Sequence, residues 1–151
     1  MSYVKTNGVK TVGGTDAALI NSGGIITEPN KPAFHAYPTV AQVSPGIGAM
    51  AATTTNVGNC YSTSTYKFTA PVAGNYFFTC TSLPNSSVNA IFFRFRKNEI
   101  QVGPVSYIIN SNETITMSMV MSLNVSETAD VYFSSDGFER DYTSFSGFLI
   151  G

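Results

Sequence analysis

Charge is what this chain has least of. Only 11% of its 151 residues are Asp, Glu, Lys or Arg, and the formal net charge is −1. Long solvent-facing helices lean on Glu, Lys, Ala and Leu, so a helical architecture is a poor fit. A near-neutral chain also lacks the basic field that would draw it to nucleic acid or to an anionic membrane. The same neutrality removes a barrier to packing copies of the chain together. Cysteine is scarce too: Cys60 and Cys80 are too few for a disulfide framework. Cys80 stands in a strand pattern and reads as a small hydrophobe, while a Cys60–Cys80 bridge stays open. The chain has one histidine, His35. Three Cys and His side chains are a thin set for zinc, and no base stands beside a nucleophile for hydrolysis. No apolar run comes near the length of a membrane span. The opening residues Met1 to Gly8 lack the apolar stretch of a signal peptide. These absences predict a protein that is not an enzyme, holds no cofactor and is not inserted in a membrane.

What the chain does have is Thr, Tyr, Phe, Val and Ile, the residues that fill strands. At 43% hydrophobic residues it has a surplus of apolar side chains for a lone β domain. Two readings follow: a well-filled core, or an apolar surface that sister subunits cover.

Residues 1–31 read as a separate arm, and residues 32–151 as the main domain. In the arm, Asn7-Gly8 between Val4-Lys5-Thr6 and Val9-Lys10-Thr11-Val12 signals a two-residue hairpin. Asn21-Ser22-Gly23-Gly24 signals a second turn, and Gly13-Gly14 separates the two units. Pro29-Asn30-Lys31-Pro32 then reads as a linker.

In the main domain, alternation carries the argument, because successive strand residues point to opposite faces. Tyr76, Phe78 and Cys80 share a face, as do Ile91, Phe93 and Phe95. Ile115, Met117, Met119, Met121 and Leu123 make one apolar row, with Thr116, Ser118 and Ser122 opposite and Val120 intruding. A helix would scatter those methionines. Further strands are expected at Ala33 to Tyr37, Ala129 to Phe133 and Ser144 to Ile150, with loops at Ser44 to Gly46 and Asn56 to Asn59. About eight strands with turns between them fit a two-sheet sandwich or jelly roll.

Several motifs carry a family resemblance. Tyr66-Lys67-Phe68-Thr69-Ala70-Pro71, the turn at Gly74 and Tyr76-Phe77-Phe78 resemble the signature of the complement C1q globular head, in the tumour necrosis factor superfamily. Ser144-Phe145-Ser146-Gly147-Phe148-Leu149-Ile150 resembles its closing strand, and Pro32-Ala33-Phe34-His35-Ala36 its opening one. Asn56-Val57-Gly58 fits a family loop, and Arg96-Lys97-Asn98 a Lys-Asn-Gly turn with Glu99 in place of Gly. The resemblance runs from about Lys31 to Gly151. It implies a ten-strand jelly roll that forms a homotrimer, closed by a heterologous interface. Tyr76, Phe78, Phe145 and Phe148 are then the residues that fill the core or line the trimer axis, joined by Phe93, Phe95, Met117, Met119 and Met121. The Gly-Asp-x-Val of the family is replaced by Val125 to Val131, and no collagen repeat occurs in residues 1–31. The arm instead resembles the Gly-rich hairpin pieces that precede such heads in tailed-phage fibres.

Two clusters could carry recognition. Phe92, Arg94 and Arg96, beside Lys97, are either solvent-facing charge or a surface for carbohydrate or an anion. The loop holding Phe138, Glu139, Arg140 and Asp141 is either solvated or, with Asp136, Glu139 and Asp141 as weak ligand candidates, a calcium site. Loops at Leu83 to Asn89 and Asp136 to Tyr142 would present such contacts.

The expected function is therefore a non-enzymatic virion structural protein. It would be a trimeric tail fibre or tail-tip adhesin that binds a host surface glycan or protein, assembled in the host cytoplasm and located on the virion. Residues 1–31 would dock to other virion proteins. Alternatives are a capsid decoration trimer and a bacterial lectin-like domain.

Overall fold

The computed structural model describes residues 8–84, 91–108, 113–133 and 137–151. They divide into two compact units, Met1–Lys31 and Pro32–Gly151.

The N-terminal unit is an antiparallel meander of β1 (Gly8–Lys10), β2 (Asp16–Ile20) and β3 (Ile26–Thr27). Its two turns repeat one design. The amide of Thr11 donates to the carbonyl of Thr15, and that of Gly14 to Thr11; Asn21, Ile25 and Gly24 do the same ten residues on. Gly14 (φ 82°) and Gly24 (φ 78°) close the turns in the left-handed region that only Gly enters freely. This corrects the expected layout. Gly13-Gly14 makes the hairpin turn rather than a spacer, and Gly8 is a strand residue opposite Leu19. Asn7 and the strand expected before it lie outside the described residues.

In the larger unit the strands follow as β4 (Ala33–Tyr37), β5 (Gly46–Ile47), β6 (Ala52–Val57), β7 (Tyr61–Ser62), β8 (Lys67–Thr69) and β9 (Gly74–Ser82). Then come β10 (Ile91–Lys97), β11 (Ile100–Gln101), β12 (Ser106–Ile108), β13 (Ile115–Leu123), β14 (Thr128–Phe133) and β15 (Ser144–Leu149). One 3₁₀ turn, Arg140–Tyr142, precedes β15. The order β13-β9-β15-β4-β6 makes a five-stranded antiparallel sheet, and β11-β10-β14-β8-β7, with β5 and β12 attached, makes a seven-stranded one. These are the two layers of a jelly roll. The strand β6, Ala-Thr-Thr-Thr-Asn-Val, stands where a loop was expected at Asn56; it is an edge strand with no alternating apolar residues to announce it.

The core lies between the sheets. One sheet supplies Phe34, Tyr76, Phe78, Met121 and Phe145; the other supplies Tyr61, Phe68, Phe93, Phe95 and Phe133. Phe145 links them: its ring lies 4.9 Å from Phe34, 5.8 Å from Phe78 and 6.0 Å from Phe95. Aromatic pairs at such spacings add to the burial term, each by roughly 0.5–1.5 kcal/mol. Met117 and Met119 are half-buried against this core.

Two local features explain sequence motifs. In the hairpin joining β10 and β11, Asn98 (φ 49°) and Glu99 (φ 67°) are both left-handed. A two-residue turn of this hand suits Asn-Gly, so Glu99 stands in a strained position, where its carboxylate pairs with Lys67. Gly147 is required for a different reason. A Cβ there would sit 2.5 Å from a Phe78 ring carbon and 2.9 Å from a Phe34 ring carbon. Gly147→Ala is expected to destabilise the domain by about 1–3 kcal/mol through overpacking, read as a lower urea midpoint with an unchanged m-value.

Candidate functional site

The five strands β4, β6, β9, β13 and β15 contain no Asp, Glu, Lys or Arg. The charges cluster in and around the other sheet, at Lys67, Arg94, Arg96, Lys97 and Asp130. The five-stranded sheet has one face in the core, and its other face carries a continuous apolar row. Register places Val120 opposite Phe77, Phe77 opposite Phe148, Phe148 opposite Ala33, and Ala33 opposite Val57. At about 4.8 Å per strand this row crosses about 20 Å of sheet. The Phe77 and Phe148 rings lie 5.4 Å apart. Phe148 is 48% exposed and Val120 55%.

Next to this row runs a polar one: Ser118, Thr79, Ser146, His35 and Thr55. Its side chains are tied to the sheet. Ser118 donates to Thr79 at 2.9 Å, Thr81 and Thr116 share a hydrogen bond of 2.7 Å, and His35 Nδ1 lies 2.9 Å from the Thr54 hydroxyl. The result is a neutral face with fixed hydroxyls around an apolar stripe.

Of the expected core or axis residues, Tyr76, Phe78, Phe93, Phe95, Met121 and Phe145 are buried. Phe148 is three residues from Phe145, an odd step in a strand, so it points away from the core that Phe145 fills.

On the outer face of the seven-stranded sheet, the expected binding residues divide. Arg96 is not available for a partner. Its guanidinium grips Asp130 through two hydrogen bonds, Nε to Oδ1 at 2.7 Å and Nη2 to Oδ2 at 3.0 Å. Asp130 is 0% exposed. Register sets the two residues opposite each other, and the Tyr132 ring lies 4.6 Å from the Arg96 guanidinium carbon. The Arg94 guanidinium carbon lies 5.0 Å from the same ring's centre, and Arg94 donates to Gln101 at 3.2 Å. Phe92, 38% exposed, stacks on Tyr107 at 4.3 Å. Phe138, expected on the surface, is 0% exposed: its ring packs 4.8 Å from Phe133, and its backbone bridges to Gln42 and Pro84. A single aromatic in a polar loop has no periodicity to show which way it faces.

Arg140 lies on the surface and is forked to Asp141, with Nε to Oδ1 at 2.8 Å and Nη2 to Oδ2 at 3.2 Å. That pairing holds the Asp141 carboxyl below the usual range, first through the hydrogen bond from Arg140. It also occupies a carboxylate proposed for calcium. The Glu139 amide donates to Leu83 at 2.9 Å. Asp136 and most of the loop Leu83 to Asn89 lie outside the described residues. Among the described residues no group of three or more His, Cys, Asp or Glu side chains converges on a metal position.

Cys60 and Cys80 are free and buried. Burial pushes the Cys60 thiol up to about 11 and the Cys80 thiol higher still. Burial likewise pushes up the Tyr61 hydroxyl, with the Asp130 charge adding to it. Neither thiol offers a thiolate at neutral pH.

Two outcomes are expected. Asp130→Ala leaves the Arg96 guanidinium largely enclosed without its partner, and should cost about 3–5 kcal/mol in denaturant melts. The paired replacement Arg96→Met with Asp130→Leu should recover most of that loss. Stability should also fall with rising pH. The thiols are raised in the folded state, so their contribution is complete below the ordinary value of 9.0; the Cys60 share is lost as pH climbs toward about 11, and the Cys80 share keeps falling beyond that. The urea midpoint should stay level from pH 7 to 8.5 and then decline, less steeply in Cys80→Ala.

Comparison with known proteins places these features in a family. The C1q domain profile matches residues 33–150. No curated protein sequence matches the chain. Among solved structures, the globular domain of zebrafish complement 1qA superposes with a TM-score of 0.67 at 17% identity, covering 80% of this chain and 98% of that one. The Eiger tumour necrosis factor of S. frugiperda gives 0.60 at 7% identity, covering 81% of this chain and 94% of that one. Murine APRIL gives 0.59 at 8% identity, covering 79% and 98%. At such identities the superpositions speak for the fold alone, and the profile match speaks for descent. An aromatic-cored jelly roll whose opening strand, Phe-Thr-Ala-Pro turn and closing Ser-Gly-Phe strand fall within the matched residues makes this chain a member of the C1q domain family.

Proposed function

We propose that this chain is a non-enzymatic binding module that works as a homotrimer on a virion appendage, with residues 1–31 as its docking or stalk segment. The observation that carries the reading is the uncharged sheet face crossed by Val120, Phe77, Phe148, Ala33 and Val57. A contiguous apolar stripe on a face depleted of charge has the composition of an interface core, a surface that a partner covers. The partner proposed is two further copies of this chain. No like charges oppose each other across such a contact, and the family resemblance implies three-fold closure. Three heads together turn weak single contacts into firm attachment through effective concentration.

The N-terminal unit supports a docking role. Its meander is small, and Val9, Val12, Ile25 and Ile26 are exposed on it. A short meander with its apolar residues in water is marginal alone. A neighbouring protein surface would supply the missing burial. A host-surface glycan or protein is the proposed target of the head.

Light scattering should give three times the 16.1 kDa chain mass. Phe148→Asp should reduce it to the single-chain mass with its β spectrum intact. A wild-type mass of one chain at micromolar concentration would refute the trimer. Antibody labelling of particles by electron microscopy should decorate the tail. Decoration of the capsid shell would move the chain to a cement role, and absence from particles would remove the virion role.

A further inference from the structure

At the Thr81 end of the same sheet face, beyond the polar row, the surface opens into a cleft of about 800 Å³. Its walls come from the ends of β4 and β9, the 3₁₀ turn Arg140–Tyr142 and the start of β15. We infer that this cleft is a binding site for a neutral oligosaccharide. The inference rests on the reading of the chain as a binding module and names the ligand class of its head.

The lining decides the class. Among the described residues no Leu, Ile, Val or Met lines the cleft, which offers little to a branched aliphatic ligand. Tyr142, 59% exposed, and Tyr37, 37% exposed, offer aromatic faces with polar tips, the shape that receives the C–H face of a sugar ring. Tyrosine also loses little side-chain entropy on binding. Around the rings stand hydroxyls, among them Thr81, whose oxygen keeps an acceptor position for a sugar hydroxyl beside its bond to Thr116. His35 ties one ring nitrogen to Thr54 and lines the cleft.

The charges balance within the cleft. Arg140 is matched by Asp141 in a two-bond fork, and among the described residues no Lys lines the site. A phosphate, sulfate or carboxylate ligand would want a surplus of cation. A matched fork instead fixes leftover guanidinium donors and carboxylate acceptors side by side, which suits a pair of vicinal hydroxyls. The cleft volume falls in the ordinary range for ligand sites. The apolar row through Phe77 and Phe148 lies several residues away along the strands, so a contact made there leaves the Thr81 end of the face open.

The test uses the full chain on a printed array of neutral, sialylated and sulfated oligosaccharides, followed by calorimetric titration of the strongest neutral binder. Tyr142→Ala and Arg140→Gln change exposed side chains, so melting temperature and assembly mass should hold. Each should weaken the neutral oligosaccharide at least tenfold. An array on which no neutral oligosaccharide binds, binding confined to anionic glycans, or undiminished binding in both variants would overturn the inference. The outcomes separate it from the trimer reading. A trimer that binds no sugar removes the cleft site and leaves the trimer, whereas a single chain that binds neutral sugar through Tyr142 and Arg140 does the reverse.

Discussion

The parity of one strand constrains the rest of the molecule. β15 must bring Phe145 into the aromatic core, where it meets Phe34 and Phe78 from its own sheet and Phe95 from the other. Two residues on, it must present Gly147, because the Phe78 and Phe34 rings leave no room for a methyl group. With those positions turned inward, Ser146 and Phe148 have to face outward. Phe148 is thus held at the surface by the packing of its neighbours, in register with Phe77 and Ala33. A core requirement and an exposed apolar stripe are two sides of the same alternation.

The division of charge between the sheets follows a related logic. Each sheet has an inner face filled with aromatic rings. The seven-stranded sheet handles its outer face with Arg94, Arg96, Asp130 and Tyr132, a cross-strand arrangement in which the guanidinium groups lie over a tyrosine ring and one is neutralised by a carboxylate. Such a pair brings orientation more than stability, since both ions give up water. The five-stranded sheet carries hydroxyls and apolar side chains there instead, and the hydroxyls bond to one another across the strands. One outer face is finished for water. The other carries the apolar stripe on which the proposed homotrimer rests.

How much of this was legible depended on periodicity. β10 and β13 alternate so regularly that Phe93, Phe95 and Met121 could be assigned to apolar faces from the chain alone, though not to the core rather than a trimer axis. β6 could not be seen, because a run of threonines on an edge strand has no apolar partner to alternate with. Arg96 looked like a surface cation because Asp130 is distant in sequence, and only register brings the two together. Phe138 was misplaced because its polar loop neighbours say nothing about where a lone ring points. In the arm, Gly13-Gly14 was read as a spacer, because only the left-handed φ of Gly14 and the hydrogen bonds between Thr11 and Thr15 show that it bends the chain into a hairpin. The cleft around Tyr142 was legible only in part: the loop Asp136 to Tyr142 was read as a recognition loop, but nothing in the sequence joins it to the end of β4 about a hundred residues earlier.

The claim that everything else hangs on is that the neutral outer face of the five-stranded sheet is covered in the native protein. Carbene footprinting of the native chain, read residue by residue by mass spectrometry, tests it directly. Phe77, Val120 and Phe148 should be shielded, while Tyr107 and Ile100 on the opposite sheet label freely, and denaturant should erase the contrast. Equal labelling of Phe148 and Tyr107 in the native protein would contradict it.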